Sequence, residues 1–67
     1  MILTNDEIEV LKKIGENEQL HECLVPSRNG LAGLLNLKFA ESFLINQDPY
    51  VALTASGKEV YLRLKNV

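Results

Sequence analysis

The sequence has few of the residue types that cross-link small domains or build reactive sites. Its single cysteine, Cys23, excludes an internal disulfide, and no CxxC motif or cysteine–histidine cluster has the spacing of metal ligands. It also lacks a glycine-rich phosphate loop and a nucleophile–base arrangement, and 67 residues leave little volume for a water-excluding pocket. We therefore expect no metal, no cofactor and no enzymatic activity.

Long hydrophobic runs, repeats and low-complexity tracts are absent as well. No apolar stretch approaches the length of about 18 residues needed to span a bilayer, and no secretory leader pattern opens the chain. We expect one soluble, cytoplasmic domain over residues 1–67 that does not engage a membrane. A domain this small buries only roughly 60% of its unfolded surface, so its stability depends on a compact apolar core. Cys23 stands among leucines and a valine and is expected to be a buried thiol.

Charge is unevenly distributed along the chain. Residues 1–25 carry six acidic side chains against two lysines, whereas residues 26–67 carry five basic side chains against three acidic ones. The formal net charge is −2. The second part of the chain is thus the better candidate for contact with an anionic partner.

The start of the chain predicts a helix. Thr4 and Glu7 have the spacing of a capping box, and Leu3 can pack on Ile8 as a hydrophobic staple. Gly15 is expected to end this helix as a left-handed cap. The apolar face of the helix holds Ile8, Leu11 and Ile14, with Val10 at its margin.

The next segment predicts a short second helix over residues 18–24. Asn17 can cap it, and Pro26 ends it because the residue before a proline is restricted. His21 is expected to be a surface or boundary residue rather than a catalytic base. The inner side of this helix would be Leu20, Cys23 and Leu24.

A third helix is predicted from the cap Ser27 to about Leu37. Leu31, Leu34 and Leu35 face the core, and the opposite face holds Arg28, Asn29, Ala32, Gly33 and Asn36. Gly30 and Gly33 each cost the helix about 1 kcal/mol relative to alanine, which suggests that something approaches closely. A DNA major groove and a second helix are equally suitable candidates, since arginine, asparagine and alanine can read base edges and small residues let helices pack.

A β-hairpin follows. Phe39 is expected in the core, and Phe43 and Ile45 alternate with Leu44 and Asn46, as in a strand buried on one side. Residues 46–49 predict a compact turn, and residues 50–53 the returning strand.

The last helix is predicted over residues 55–65, with Thr54 as its cap. Its inner face comprises Gly57, Val60, Tyr61 and Leu64. Leu62 points outward, either as an ordinary exposed residue or as a homodimer contact.

Two motifs resemble winged helix-turn-helix domains. Leu34-Leu35-Asn36-Leu37-Lys38-Phe39-Ala40-Glu41 is similar to the exit of a recognition helix into the wing, with Lys38 where the family often has glycine. Leu53-Thr54-Ala55-Ser56-Gly57-Lys58 is similar to the LT-x-x-G step into the last helix of many bacterial and archaeal transcription regulators. The resemblance implies an α+β, mainly α, compact winged helix in the order helix-helix-helix-hairpin-helix.

The resemblance also implies a function, a small transcriptional regulator that binds double-stranded DNA. The third helix would read bases, Lys38 would lie near phosphate, and the hairpin turn would form the wing tip. The DNA-contacting residues would be Ser27, Arg28, Asn29, Ala32, Asn36, Lys38, Gln47 and Tyr50. Some winged-helix domains instead serve protein–protein contacts or oligomerisation, for which the third helix and Leu62 would supply the surface.

Overall fold

Three α-helices surround one side of a three-stranded antiparallel sheet in the computed structural model, which describes residues 3–66. About half of the chain is helical, so the expected α+β class is confirmed. The sheet order is β1-β3-β2, which places β3 in the middle. The elements are α1 (Asn5–Gly15), β1 (Leu20–His21), a 3-10 turn (Glu22–Leu24), α2 (Arg28–Asn36), β2 (Ala40–Ile45), β3 (Asp48–Leu53) and α3 (Ala55–Lys65).

Three of the four predicted N-caps are confirmed, and only that of Asn17 is not, because no helix begins directly after it. The Thr4 hydroxyl accepts a hydrogen bond from the Glu7 N–H at 3.2 Å, and the Glu7 carboxylate accepts one from the Thr4 N–H at 2.8 Å, which completes the capping box. The Ser27 hydroxyl accepts from the Gly30 N–H at 3.1 Å, and Thr54 begins α3 in the same way. Side-chain oxygens therefore satisfy helix N–H groups that have no partner within the helix.

The predicted second α-helix is wrong, and with it the order helix-helix-helix-hairpin-helix. Leu20 and His21 instead pair with Val51 and Tyr50 of β3, and only one 3-10 turn follows. A seven-residue helix has little stability of its own, whereas the central strand gains a hydrogen-bonded neighbour. Cys23 is exposed, which corrects its predicted burial, and Leu24 is also exposed rather than on an inner face.

The end of α1 also differs from prediction. No glycine within residues 3–66 has a positive φ, so Gly15 is not a left-handed cap, and Glu16 ends the helix in a right-handed conformation. A Cβ built on Gly15 would lie 2.5 Å from the ring of Tyr61. The glycine thus allows α3 to approach α1 closely.

The hairpin turn is shorter than predicted. Ile45 and Asp48 pair directly, so the turn consists of Asn46 and Gln47, which both have positive φ (50° and 70°). Positive φ at both positions is typical of a type I′ turn, whose twist matches that of paired strands. Pro49 lies within β3, beyond the part that pairs with β1, where no strand requires its missing N–H.

The core lies on one face of the sheet. Val51 and Leu53 of β3, with their partners Leu20 and Ala40, contribute to it, because paired residues share a face. The remaining buried apolar residues are Val10, Leu11, Ile14, Leu31, Leu34 and Phe39. Phe39 is therefore in the core as expected.

The opposite face of the sheet carries Phe43, Ile45, Tyr50 and Ala52, all partly buried. The predicted alternation along β2 is confirmed, but Phe43 and Ile45 point away from the core rather than into it. The helix α3 has the predicted bounds, with Val60, Tyr61 and Leu64 packed on the core and Leu62 exposed. Among the described residues, no helix is long and apolar enough to cross a membrane.

Candidate nucleic-acid interface

A continuous polar face runs along the outside of α2. The residues Arg28, Asn29, Ala32 and Asn36 are all exposed, and at about 100° per residue they fall within an arc of roughly 100°. Leu31 and Leu34 lie on the other side of the helix and are buried. These four residues, called here the α2 face, are thus brought together as the sequence predicted.

The two glycines of α2 serve the contact with α1. A Cβ built on Gly30 would lie 2.5 Å from the carbonyl oxygen of Asp6, and one built on Gly33 would overlap the carboxylate of Glu7. Gly33 is partly buried and lies at the boundary of the outer face rather than on it. For these glycines, the alternative of a packed helix is therefore correct.

The end of α2 is fixed by a Schellman motif. The Lys38 N–H donates to the Leu35 carbonyl at 3.1 Å, and the Phe39 N–H donates to the Leu34 carbonyl at 2.9 Å. Lys38 has a φ of 64°, in the left-handed region that glycine occupies at less cost. The Lys38 side chain is exposed next to the end of the α2 face, while Phe39 turns into the core.

The LT-x-x-G step holds the start of α3 against the turn at Lys38 and Phe39. We call the pair of hydrogen bonds from Thr54 to this turn the Lys38–Phe39 latch. The Thr54 hydroxyl donates to the Lys38 carbonyl at 2.7 Å, and the Thr54 N–H donates to the Phe39 carbonyl at 3.1 Å. A Cβ built on Gly57 would overlap the Phe39 carbonyl oxygen and lie 2.8 Å from its carbonyl carbon. Threonine and glycine at these positions thus let the first turn of α3 sit directly on the exit of α2.

Besides Lys38, which is exposed next to the α2 face, three of the predicted site residues do not belong to that face. Ser27 is partly buried and its hydroxyl is occupied as the helix cap. Gln47 is exposed at the hairpin tip. Tyr50 lies on the sheet face away from the core and packs edge-on to His21, with ring centroids 5.1 Å apart.

The charges around α2 are mixed. Arg28 and Lys38 are exposed near its two ends, and they provide the positive charge of this surface. The backbone of Asp6 and the side chain of Glu7 lie against the glycine side of the helix. The acidic first turn of α1 therefore runs beside α2 and limits the positive potential there.

Exposed apolar side chains are found elsewhere on the surface. Leu62 is 53% exposed on α3, and Leu44 is 71% exposed on β2 near the hairpin tip. Sequence reasoning missed the exposure of Leu44, although its alternation with Phe43 and Ile45 placed it on the other face of the strand. Leu24 and Leu37 are the other large exposed apolar residues of the described chain.

A pair of residues with reactive side chains lies beside β1. The Cys23 sulfur is 2.8 Å from Nδ1 of His21, which also accepts a hydrogen bond from the Cys23 N–H. Within residues 3–66, no group of three or more histidine, cysteine or acidic residues could hold a metal ion. Comparisons with protein-family models, characterised proteins and solved structures found no match for this chain.

Proposed function

We propose that this chain is a winged-helix domain that binds double-stranded DNA through α2 and acts as a transcriptional regulator. The observation that carries the proposal is the α2 face, on which four exposed polar or small side chains line one side of a helix. The elements after α2 support the proposal, since α2 leads into a β-hairpin that ends in the LT-x-x-G step, whereas a short strand and a 3-10 turn replace the predicted second helix before it.

The dimensions and chemistry of α2 suit a major groove. Nine residues form a helix about 13 Å long. Its outer side presents no bulky apolar residue at the central position, Ala32. Arginine reads guanine, asparagine reads adenine, and alanine contacts the thymine methyl group. Arg28, Asn29 and Asn36 would therefore specify bases, and Lys38 would contact a phosphate at the helix exit.

The Gly30 contact with α1 and the Lys38–Phe39 latch hold α2 at both ends. A reading helix held in this way keeps its backbone in a fixed orientation, which removes the cost of ordering that backbone on binding. The fixed position of α2 supports a role in base recognition rather than in binding through a flexible segment.

An amide-shift titration with a mixed-sequence duplex at low salt tests the proposal. We expect residues 28–38 to shift and the outer side of α1 to remain unchanged. With Lys38 as the phosphate-neutralising cation, log Kd should vary with log salt with a slope of magnitude about 1 for each protomer, and Lys38→Ala should remove most of that slope. Arg28→Ala should weaken binding by about 1–3 kcal/mol and relax base specificity, whereas Arg63→Ala on α3 is the matched control and should change neither the affinity nor the slope.

Absence of binding at micromolar protein and low salt would refute the proposal. Equal effects of Arg28→Ala and Arg63→Ala would refute the assignment to α2. If no DNA is bound, the second candidate, a protein-interaction module, is favoured by the exposed Leu62. That candidate predicts a protein partner whose binding is lost with Leu62→Glu or Ala32→Arg and is retained with Arg28→Ala, measured by sedimentation.

A further inference from the structure

The free edge of β2 has the features of a pairing surface. β2 is an outer strand of the sheet, six residues long, and it contains no lysine, arginine or proline. Proteins commonly protect such edges with charged residues, proline or bulges, because unpaired backbone groups are templates for another strand. The pairing of β2 with β3 is continuous from Ala40 to Ile45, so no bulge bends this edge away.

The register determines which backbone groups point outward. Ile45 and Asp48 flank the two-residue turn and form a hydrogen-bonded pair, and hydrogen-bonded pairs alternate along an antiparallel ladder. Phe43 therefore bonds to Tyr50, while the N–H and C=O groups of Ser42 and Leu44 point away from β3. Within residues 3–66, no other backbone hydrogen bond reaches these two residues.

We propose that this edge pairs with the same edge of a second copy to form a six-stranded antiparallel sheet. A two-fold axis through Phe43 aligns Ser42 with Leu44 of the partner copy. This register satisfies the outward groups of Ser42 and Leu44 in both copies with four hydrogen bonds. Phe43 then lies opposite its own counterpart as a non-hydrogen-bonded pair, in which side chains are closest.

The side chains agree with this pairing. On the face away from the core, Phe43 already neighbours Tyr50, so the dimer forms a row of four aromatic rings across the two copies. On the other face, the 71% exposed Leu44 gains a cross-strand neighbour.

Charge does not oppose a second copy. Glu41 is the only charged residue in β2 and lies opposite Ile45 of the partner. The two glutamates are four residue positions apart, roughly 13 Å along the strand, and therefore repel each other weakly.

The assembly closes as a dimer. The other edge strand, β1, has only two residues and continues into the 3-10 turn, so it offers little for further addition. The proposed contact uses neither the α2 face nor α3, and it does not depend on DNA binding.

Hydrogen exchange at several protein concentrations, without DNA, tests this arrangement. As concentration rises, the amides of Ser42 and Leu44 should become protected. The Phe43 amide, already bonded within the monomer, is the internal control and should not change. Sedimentation equilibrium should show a concentration-dependent monomer–dimer mass.

Two variants block the edge while leaving the monomer intact. Leu44→Lys places a charge on an exposed position, and Ser42→Pro removes an N–H that has no partner in the monomer; both should abolish the dimer. Leu62→Lys is the matched control, an exposed leucine on α3, and should dimerise like the wild type. A wild type that stays monomeric, open Ser42 and Leu44 amides in a dimer, or loss of the dimer with Leu62→Lys alone would each overturn the proposal.

Discussion

Substitution of Gly57 by alanine tests the contact between α3 and the exit of α2. The added methyl group would overlap the Phe39 carbonyl oxygen, and the nearest atoms are all backbone, so no flexible side chain can yield. Either α3 must move away or the Lys38–Phe39 latch must open. Overpacking of this kind costs about 1–3 kcal/mol. Each of the two Thr54 hydrogen bonds contributes about 1 kcal/mol more if it is lost.

Helix propensity acts in the opposite direction, since alanine is favoured over glycine by at most about 1 kcal/mol. The net destabilisation should therefore be about 2–3 kcal/mol, a large share of the roughly 3–10 kcal/mol expected for a domain of 67 residues. Urea and thermal unfolding followed by circular dichroism would measure it, with a fall in Tm of roughly 10–20 °C.

Ser56→Ala is the matched control, because Ser56 is exposed in the same turn and its replacement should change stability by less than about 0.5 kcal/mol. Thr54→Ala should also destabilise, and the double variant with Gly57→Ala should cost less than the two single changes together, because both act on the same contact. If Gly57→Ala instead raised stability by about 1 kcal/mol, propensity alone would explain the result and the close approach of α3 to Phe39 would be wrong.

Three further predictions concern backbone conformation and exposure. Lys38→Gly should stabilise the fold by about 0.5–1 kcal/mol in urea unfolding, because glycine adopts the left-handed conformation of this position at less cost. Leu37→Gly is the control: position 37 is right-handed, so glycine should destabilise the fold there. Equal effects of the two substitutions would contradict the turn geometry. Gln47→Gly should raise Tm by a few degrees, since Asn-Gly is the preferred type I′ sequence, and an unchanged or lower Tm would argue against that turn. Cys23 should react fully with an aromatic disulfide reagent without denaturant, and reaction only after unfolding would show that the thiol is buried.

The features that the sequence predicted well depend on neighbouring residues. The caps at Thr4, Ser27 and Thr54 were readable because a cap binds an N–H only three residues away. The bounds of α3 and the exposed residues of the α2 face follow in the same way from helical spacing.

The features that were mispredicted depend on distant partners. Leu20 lies in a strand because it pairs with Val51. No pattern within residues 18–24 indicates this pairing. Gly30 indicated that a neighbour approaches α2 closely. The spacing of residues alone does not show whether that neighbour is α1 or a DNA groove. Lys38 is left-handed although it is not a glycine, the residue that usually indicates this conformation. The Schellman hydrogen bonds and the packing of Phe39 impose the conformation on Lys38.

The latch has a mechanical consequence. Because the peptide groups at Lys38 and Phe39 both finish α2 and receive Thr54, the two helices share one anchorage point. A rotation of α3 about its first turn would therefore be transmitted to the carboxyl end of α2 through these hydrogen bonds, in addition to its effect on the core contacts of Val60, Tyr61 and Leu64. A partner bound to the outer side of α3 would thus act, through Thr54 and its two hydrogen bonds, on the orientation of α2, the helix proposed to read DNA.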